Sequence, residues 1–258
     1  MNQLTPVVKK ILIGNVTIFI LHKLLPFDLI DILGLRYLAS PQFEPYQIIT
    51  HLFMHASVGH LFSNMFSLIT FGPVLETRLS SKRFLLFYLM TGIGAALLYT
   101  GVLYLEIHQF EALYTDYLNF PTPQKFSFFM QKFPKMYNNY YPFICDFFQY
   151  SHDAGYIGKS KAIVAQLYHI KTGVPIVGAS GAIFGILTAF AMLYPHTRLM
   201  LFLFPIPIKA KYFLILYGVY ELYAGLANNP ADNVAHFAHL GGIVFAYLFI
   251  KWYKGSGK

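Results

Sequence analysis

Gly178-Ala-Ser180-Gly181-Ala-Ile-Phe-Gly185 sets a serine among glycines near the head of an apolar run that extends from 175 to 194. Such a run has about the ~20 residues that a helix needs to cross a hydrocarbon core ~30 Å thick. A hydroxyl in that setting needs a partner or a task. Five further apolar runs lie near 11–27, 58–76, 84–105, 199–222 and 234–252, and the shorter ones carry Tyr, Lys or Pro at their ends as interfacial anchors would. The expectation is an all-α membrane protein, a six-helix bundle forming a single membrane domain over residues 1–258.

Composition agrees with that setting. Residues of the AVILMFWYC set make up 56% of the chain and charged residues 12%, against about 25% charged in an ordinary soluble domain. Mean hydropathy is +0.51. Lys9-Lys10 followed by an apolar stretch has the look of a signal peptide, but Leu24-Leu25-Pro26-Phe27 is a poor small-residue cleavage site. The first helix is therefore expected to stay as an anchor.

Basic residues set the orientation. Lys9, Lys10, Arg78, Lys82, Arg83, Arg198, Lys209, Lys211, Lys251, Lys254 and Lys258 fall on one side of the expected helices with only Glu76, a net +10, and the other side carries a net −2. By the positive-inside rule both termini face the cytoplasm, and a bacterial inner membrane or its equivalent is the expected location. The overall +8 then reflects topology. The basic residues are scattered and form no long patch, so a nucleic-acid partner is not expected.

Residues 106–174, between the third and fourth helices, form an extracytoplasmic insertion rich in Tyr and Phe and punctuated by Pro121, Pro123, Pro134 and Pro142. A structureless loop of that length is unusual, so the insertion is either functional or a small subdomain. Lys161 to Ile170 reads as a short helix, and the aromatic 126–150 region as a segment lying flat in the interface. Cys145, the single cysteine, lies here, so no intramolecular disulfide forms.

The chemistry follows from combining topology with position. With both termini inside, helices 2, 4 and 6 begin at the outer face. Ser180 lies five residues past Pro175, roughly 8 Å down its helix at ~1.5 Å per residue, and a cap at Asp232 or Asn233 would set His239 roughly 9–10 Å down the sixth. A serine and a histidine at one depth can meet, the imidazole taking the hydroxyl proton and returning it to a leaving amine. His60 and Asn64, at i and i+4, share a face near the outer end of the second helix. Their side-chain N–H groups, with the Ser180 backbone N–H, suit an oxyanion hole. Gly181 and Gly185 on the fourth helix, and Gly242 and Ala246 on the sixth, make small-residue stripes that allow close packing. Position alone does not rank His236 against His239, and His51, His55 and His60 are open to structural or metal-ligating roles.

His51-Leu-Phe-Met-His55-Ala-Ser-Val-Gly-His60-Leu-Phe-Ser-Asn64, Glu76-Thr-Arg78, Gly178-Ala-Ser180-Gly181 and Ala238-His239-Leu-Gly241-Gly242, in that order, resemble the rhomboid intramembrane serine proteases. The resemblance covers nearly the whole chain outside 106–174. It implies a Ser180–His239 catalytic dyad with no third carboxylate, with His60 and Asn64 as oxyanion partners, no cofactor and no metal. The implied substrates are transmembrane proteins, cleaved within the lipid bilayer near the outer leaflet. It favours His239 over His236, because the family's histidine precedes a glycine by three and a small residue by seven, here Gly242 and Ala246. Residues 28–57, with Arg36, Tyr46, His51 and His55, resemble the family's half-submerged loop, which braces the bundle. Ala246 replaces a second glycine, and Phe184 stands where many relatives place a tyrosine that stacks on the catalytic imidazole.

Three alternatives find less support in the residues. A catalytically silent relative that binds or dislocates membrane proteins would typically lack the serine or the histidine, and both are present. A zinc hydrolase finds no His-Glu-x-x-His, since Leu52 follows His51. An α/β-hydrolase is excluded because Gly178-Ala-Ser180-Gly181-Ala182 lacks the second elbow glycine.

Overall fold

The computed structural model describes residues 4–201, 204–227 and 234–255. They divide into two compact units, one of residues 1–100, 175–228 and 234–258, the other chiefly of residues 101–174.

The first unit is built around α9 (Ser180–Leu193), whose residues 181–191 are all buried. A helix apolar on every side belongs at the centre of a bundle. Around it stand α4 (Val58–Leu79), α10 (Ala210–Ala227) and α11 (His236–Gly255), with α1 (Pro6–Leu24) against α4. The first part of α5 (Ser81–Asn119) adds Phe84, Phe87 and Tyr88 to a core shared with Val8, Leu68, Ile186, Ala246 and Phe249. Buried Glu76 on α4 caps α1. Its carboxylate accepts from Val7 and Val8 N–H at 3.0–3.1 Å and from the Ser81 hydroxyl at 2.6 Å, satisfying donors that a helix start leaves open.

Two helix starts differ from the sequence expectation. The fourth apolar run begins as extended chain: Ile176 forms an antiparallel bridge with Leu35, and Gly178 has φ +124°, a left-handed value that suits glycine. Helix α9 therefore opens at Ser180 itself, which sits at the helix terminus rather than a turn and a half inside. The run 199–222 also does not begin as helix. Strands β1 (Arg198–Leu201) and β2 (Phe204–Lys209) form an antiparallel hairpin that pairs Arg198 with Lys209, and α10 starts only at Ala210. Pro205 and Pro207 supply no N–H for a helix there. This hairpin is a minor exception to an otherwise helical chain. The capping residues expected for the sixth helix, Asp232 and Asn233, lie outside the described residues, as does Lys258.

Apolar side chains point outward on several helices. Phe62, Phe66 and Ile69 of α4 are exposed while Asn64, Gly72 and Glu76 are buried, and Ile215, Leu216, Val219 and Tyr223 of α10 are likewise exposed. Contiguous apolar surface of this kind is unfavourable against water and natural against lipid. Among the described residues, α4 and α5 are long and apolar enough to cross a membrane by length and composition, and α9 is a shorter apolar helix.

The segment between α1 and α4 is held together by bonds within itself. Here α2 (Leu29–Leu33) and α3 (Gln47–Thr50) are short helices. Buried Gln47 accepts from Arg36 N–H and donates to the carbonyls of Ile32 and Gln42, and Arg36 pairs with Asp31 at 2.9 Å.

The second unit comprises the C-terminal part of α5 with α6 (Pro123–Met130), α7 (Pro134–Gln149) and α8 (Ala154–Thr172). Thr122 and Asp153 cap α6 and α8. Phe110, Tyr117, Phe126, Phe129, Phe147, Val164 and Leu167 form a separate core, and the Tyr117 hydroxyl donates to Ser160 Oγ at 2.6 Å. The expected short helix at 161–170 is part of the longer α8. The aromatic 126–150 stretch falls largely on helices α6 and α7, with Phe126, Phe129 and Phe147 buried and Phe128 and Phe148 exposed.

The glycine stripes divide their labour. A Cβ at Gly242 would run into the Gly181 carbonyl oxygen, whereas Cβ atoms at Gly181 and Gly185 would meet Ala95 and Thr91 of α5 at 2.5 and 2.8 Å. Gly242 thus sets the α9–α11 approach, and Gly185 serves contact with α5 instead of α11. Gly242→Ala must push two backbones apart, so it is expected to cost about 1–3 kcal/mol, as overpacking does. A lowered thermal midpoint in detergent checks this, and an unchanged midpoint would contradict the contact.

Candidate active site

Ser180 is the first residue of α9 and is half-buried. At that position the backbone N–H groups of the first turn have no partner within the helix, and the positive end of the helix dipole lies beside the hydroxyl. The preceding turn is held in place on the loop side: Gly178 N–H donates to the His51 carbonyl at 2.9 Å, and Leu35 and Ile176 exchange bonds at 2.8–2.9 Å.

His239 lies in the first turn of α11 and is buried. Its ring stacks on Phe184, one turn beyond Ser180, with centroids 4.2 Å apart and planes at 11°. The phenylalanine thus fills the stacking position without a hydroxyl. The neighbours of the serine and the histidine also meet, since a Cβ on Gly181 would stand 3.6 Å from the Ala238 carbonyl oxygen. The two expected residues therefore flank a backbone contact between the helices that carry them.

His60 stands over the turn before the serine. A Cβ on Gly178 would meet its ring at 2.6–2.8 Å, and His60 is within electrostatic reach of His239. Asn64, one turn along, is buried and its Nδ2 lies 3.0 Å from His55 Nε2. The amide donates there, which fixes its orientation and leaves its second N–H for another acceptor. Beside Ser180 is a cavity of about 20 Å³ lined by residues that include His51, Gly92, Ile176, Gly178 and Ala238. That is room for about one water molecule.

His51 and His55 are both buried and support the site from the loop. His51 Nδ1 lies 2.9 Å from the Gln47 carbonyl oxygen, an acceptor, so that nitrogen carries the proton. Burial is the main cause that pushes both imidazoles from 6.5 down to about 4, and at His55 the neighbouring His60 adds to it.

Glu221 was not among the residues expected at the site. It is buried near the end of α10, with Oε2 at 2.9 Å from His239 Nδ1 and 2.6 Å from His236 Nδ1. The absence of a third carboxylate, implied by the resemblance, is therefore corrected: a carboxylate bonds the histidine directly. The signal was present in the sequence. Between Lys211 and Lys251 only Glu221 and Asp232 are acidic, and Glu221 interrupts an apolar run, where an ionisable residue points to function. His236 bonds the same carboxylate. Together Glu221, His236 and His239 offer ligand-capable atoms within 4.8 Å of one another.

A helical membrane bundle with a serine and a histidine on the first turns of two closely packed helices is the class these features define. The chain belongs to the rhomboid family: the family's Rhomboid domain matches residues 42–107 and 152–254. The match omits residues 108–151, the first part of the expected insertion, and includes its last part, 152–174. Rhomboid protein 1, mitochondrial, of Saccharomyces cerevisiae is 39% identical over 79 residues, 31% of this chain and 22% of that protein. RHOMBOID-like protein 6, mitochondrial, of Arabidopsis thaliana is 40% identical over 55 residues, 21% of this chain and 18% of that protein. The matched stretches span about a fifth of these relatives. Family membership makes this an integral membrane protein and suggests proteolysis.

The two loop histidines give a pH dependence. Their folded-state values lie below the unfolded 6.5, so the unfolded chain binds more protons as pH falls, and stability present above about 6.5 is lost on the way to about 4. The thermal midpoint of the detergent-solubilised protein should fall between pH 7 and 5, and His51→Asn should flatten that fall. A midpoint constant over this range would contradict the buried neutral imidazoles.

Proposed function

We propose that this protein is an intramembrane serine endopeptidase that hydrolyses peptide bonds in or near the transmembrane segments of membrane-protein substrates. Ser180 is the nucleophile and His239 its general base. The observation that carries this is the α9–α11 contact, where Phe184 stacks on His239 and the backbone at Gly242 lies too close to the Gly181 carbonyl to admit a Cβ. His239 takes the Ser180 proton as oxygen attacks the substrate carbonyl, then gives it to the leaving amine. The oxyanion that forms is stabilised by the Ser180 backbone N–H with His60 and Asn64, supported by the placement of His60 over Gly178 and the fixing of Asn64 by His55. No cofactor takes part.

Six spans, α1, α4, α5, α9, α10 and α11, cross the membrane in this proposal, with residues 106–174 an extracytoplasmic insertion in a single domain and both termini on the basic side. Support comes from the charge asymmetry and from the outward apolar faces of α4 and α10. A bacterial inner membrane or an equivalent one is the proposed location. The names of both relatives are those of mitochondrial proteins, which makes an organellar membrane such an equivalent.

Ser180→Ala and His239→Ala should each abolish cleavage of a single-span transmembrane reporter in proteoliposomes while the variants keep the wild-type thermal midpoint, because either loss disables the whole unit. Cleavage retained in Ser180→Ala would contradict the assignment.

His60→Ala and Asn64→Ala should each lower kcat by ~10²–10³, the usual effect of removing one oxyanion donor. Wild-type turnover in the double variant would remove both from the site.

A further inference from the structure

We propose that Glu221 is a positioning residue for His239, so that Ser180, His239 and Glu221 work as a Ser–His–Glu triad with His239 in the middle. The proposal rests on the protease reading above and adds a residue to it.

The geometry defines the proton positions. A carboxylate only accepts, so the nitrogen 2.9 Å from Glu221 Oε2 must be a donor, and His239 carries its proton on Nδ1. In the neutral imidazole the lone pair is then on Nε2. That is the tautomer a base needs: the Ser180 proton passes to Nε2 as the oxygen–carbon bond forms, and from Nε2 to the amine as the carbon–nitrogen bond breaks. Glu221 gains no proton in either step. While His239 holds both protons it is a cation, and the fixed carboxylate beside Nδ1 stabilises that charge at a site with little water.

His236 completes the arrangement. Its Nδ1 donates to the same oxygen at 2.6 Å, which fixes the carboxylate from a second side. Satisfying a buried carboxylate would need donors but no particular partner. Here one of the donors is the imidazole that stacks beside the α9 terminus. An ionised residue within an apolar helix is costly, and its presence there is accounted for by this task.

A bound metal would use the same atoms in another way. Coordination through Nδ1 of His239 requires that nitrogen to be bare and leaves the remaining proton on Nε2, so the ring cannot accept the serine proton. The triad and a metal centre on Glu221, His236 and His239 are therefore mutually exclusive, and one set of measurements separates them.

Nitrogen-15 spectra of histidine-labelled wild-type protein, with the His239 signal assigned by its loss in His239→Ala, should show protonated Nδ1 and bare Nε2. In the reporter assay Glu221→Gln should keep KM and lose ~10²–10⁴ in kcat, the scale seen when such a carboxylate is replaced by an amide. Glu221→Asp, which keeps the charge, should recover a substantial part of that loss. Wild-type kcat in Glu221→Gln, a proton on Nε2, or activity removed by a chelator and restored by zinc would each overturn the proposal. The spectra require no change at Glu221 and decide alone if Glu221→Gln does not fold. A wild-type protein with the Nδ1–H tautomer that cleaves nothing would sink the protease reading and still support the hold of Glu221 on His239.

Discussion

The close approach of α9 and α11 at Gly181 and Gly242 is the constraint on which the remaining structure depends. A side chain of any size at Gly242 would strike the Gly181 carbonyl. The two helices that carry Ser180 and His239 are thereby held close together. In lipid, apolar side chains gain little by leaving the solvent, so helix association draws on close packing and on polar bonds between helices. The bundle uses both, a glycine contact between α9 and α11 and a carboxylate from α10 bonded by two imidazoles of α11.

Polar groups are gathered where helices begin. Ser180 opens α9, and His236 and His239 lie in the first turn of α11. At the other end of α4, Glu76 closes the start of α1. Helix starts have spare N–H donors, so these are the places where a membrane helix tolerates oxygen and nitrogen and where catalysis has groups to use. The extended chain before Ser180, tied to Leu35 and His51, gives the serine its position at such a start.

Much of this was legible in the residues. Apolar runs gave the helices, and Ser180, His60, Asn64 and His239 stood out because polar residues are rare in such runs. The small residues at 181 and 242 correctly signalled a contact, but spacing could not say which stripe faced which helix: Gly185 opens toward Thr91. The start of α9 was misplaced because a bridge between Leu35 and Ile176 is a non-local pairing that no window over 175–194 contains. The hairpin before α10 was hidden by its apolar residues, although Pro205 and Pro207 argued against helix. Glu221 was read only as a charge on the outer side, since its link to His239 depends on how α10 and α11 pack. The core that the 126–150 stretch forms with Phe110, Val164 and Leu167 was not legible, because those partners are distant in sequence.

The central claim is that Ser180 is an activated nucleophile. The most direct measurement is covalent labelling of the purified protein with a fluorophosphonate, mapped to a residue by mass spectrometry and repeated in His239→Ala. The account predicts a single adduct on Ser180 that disappears in the variant. An adduct on another residue, or labelling of Ser180 that persists without His239, would contradict it.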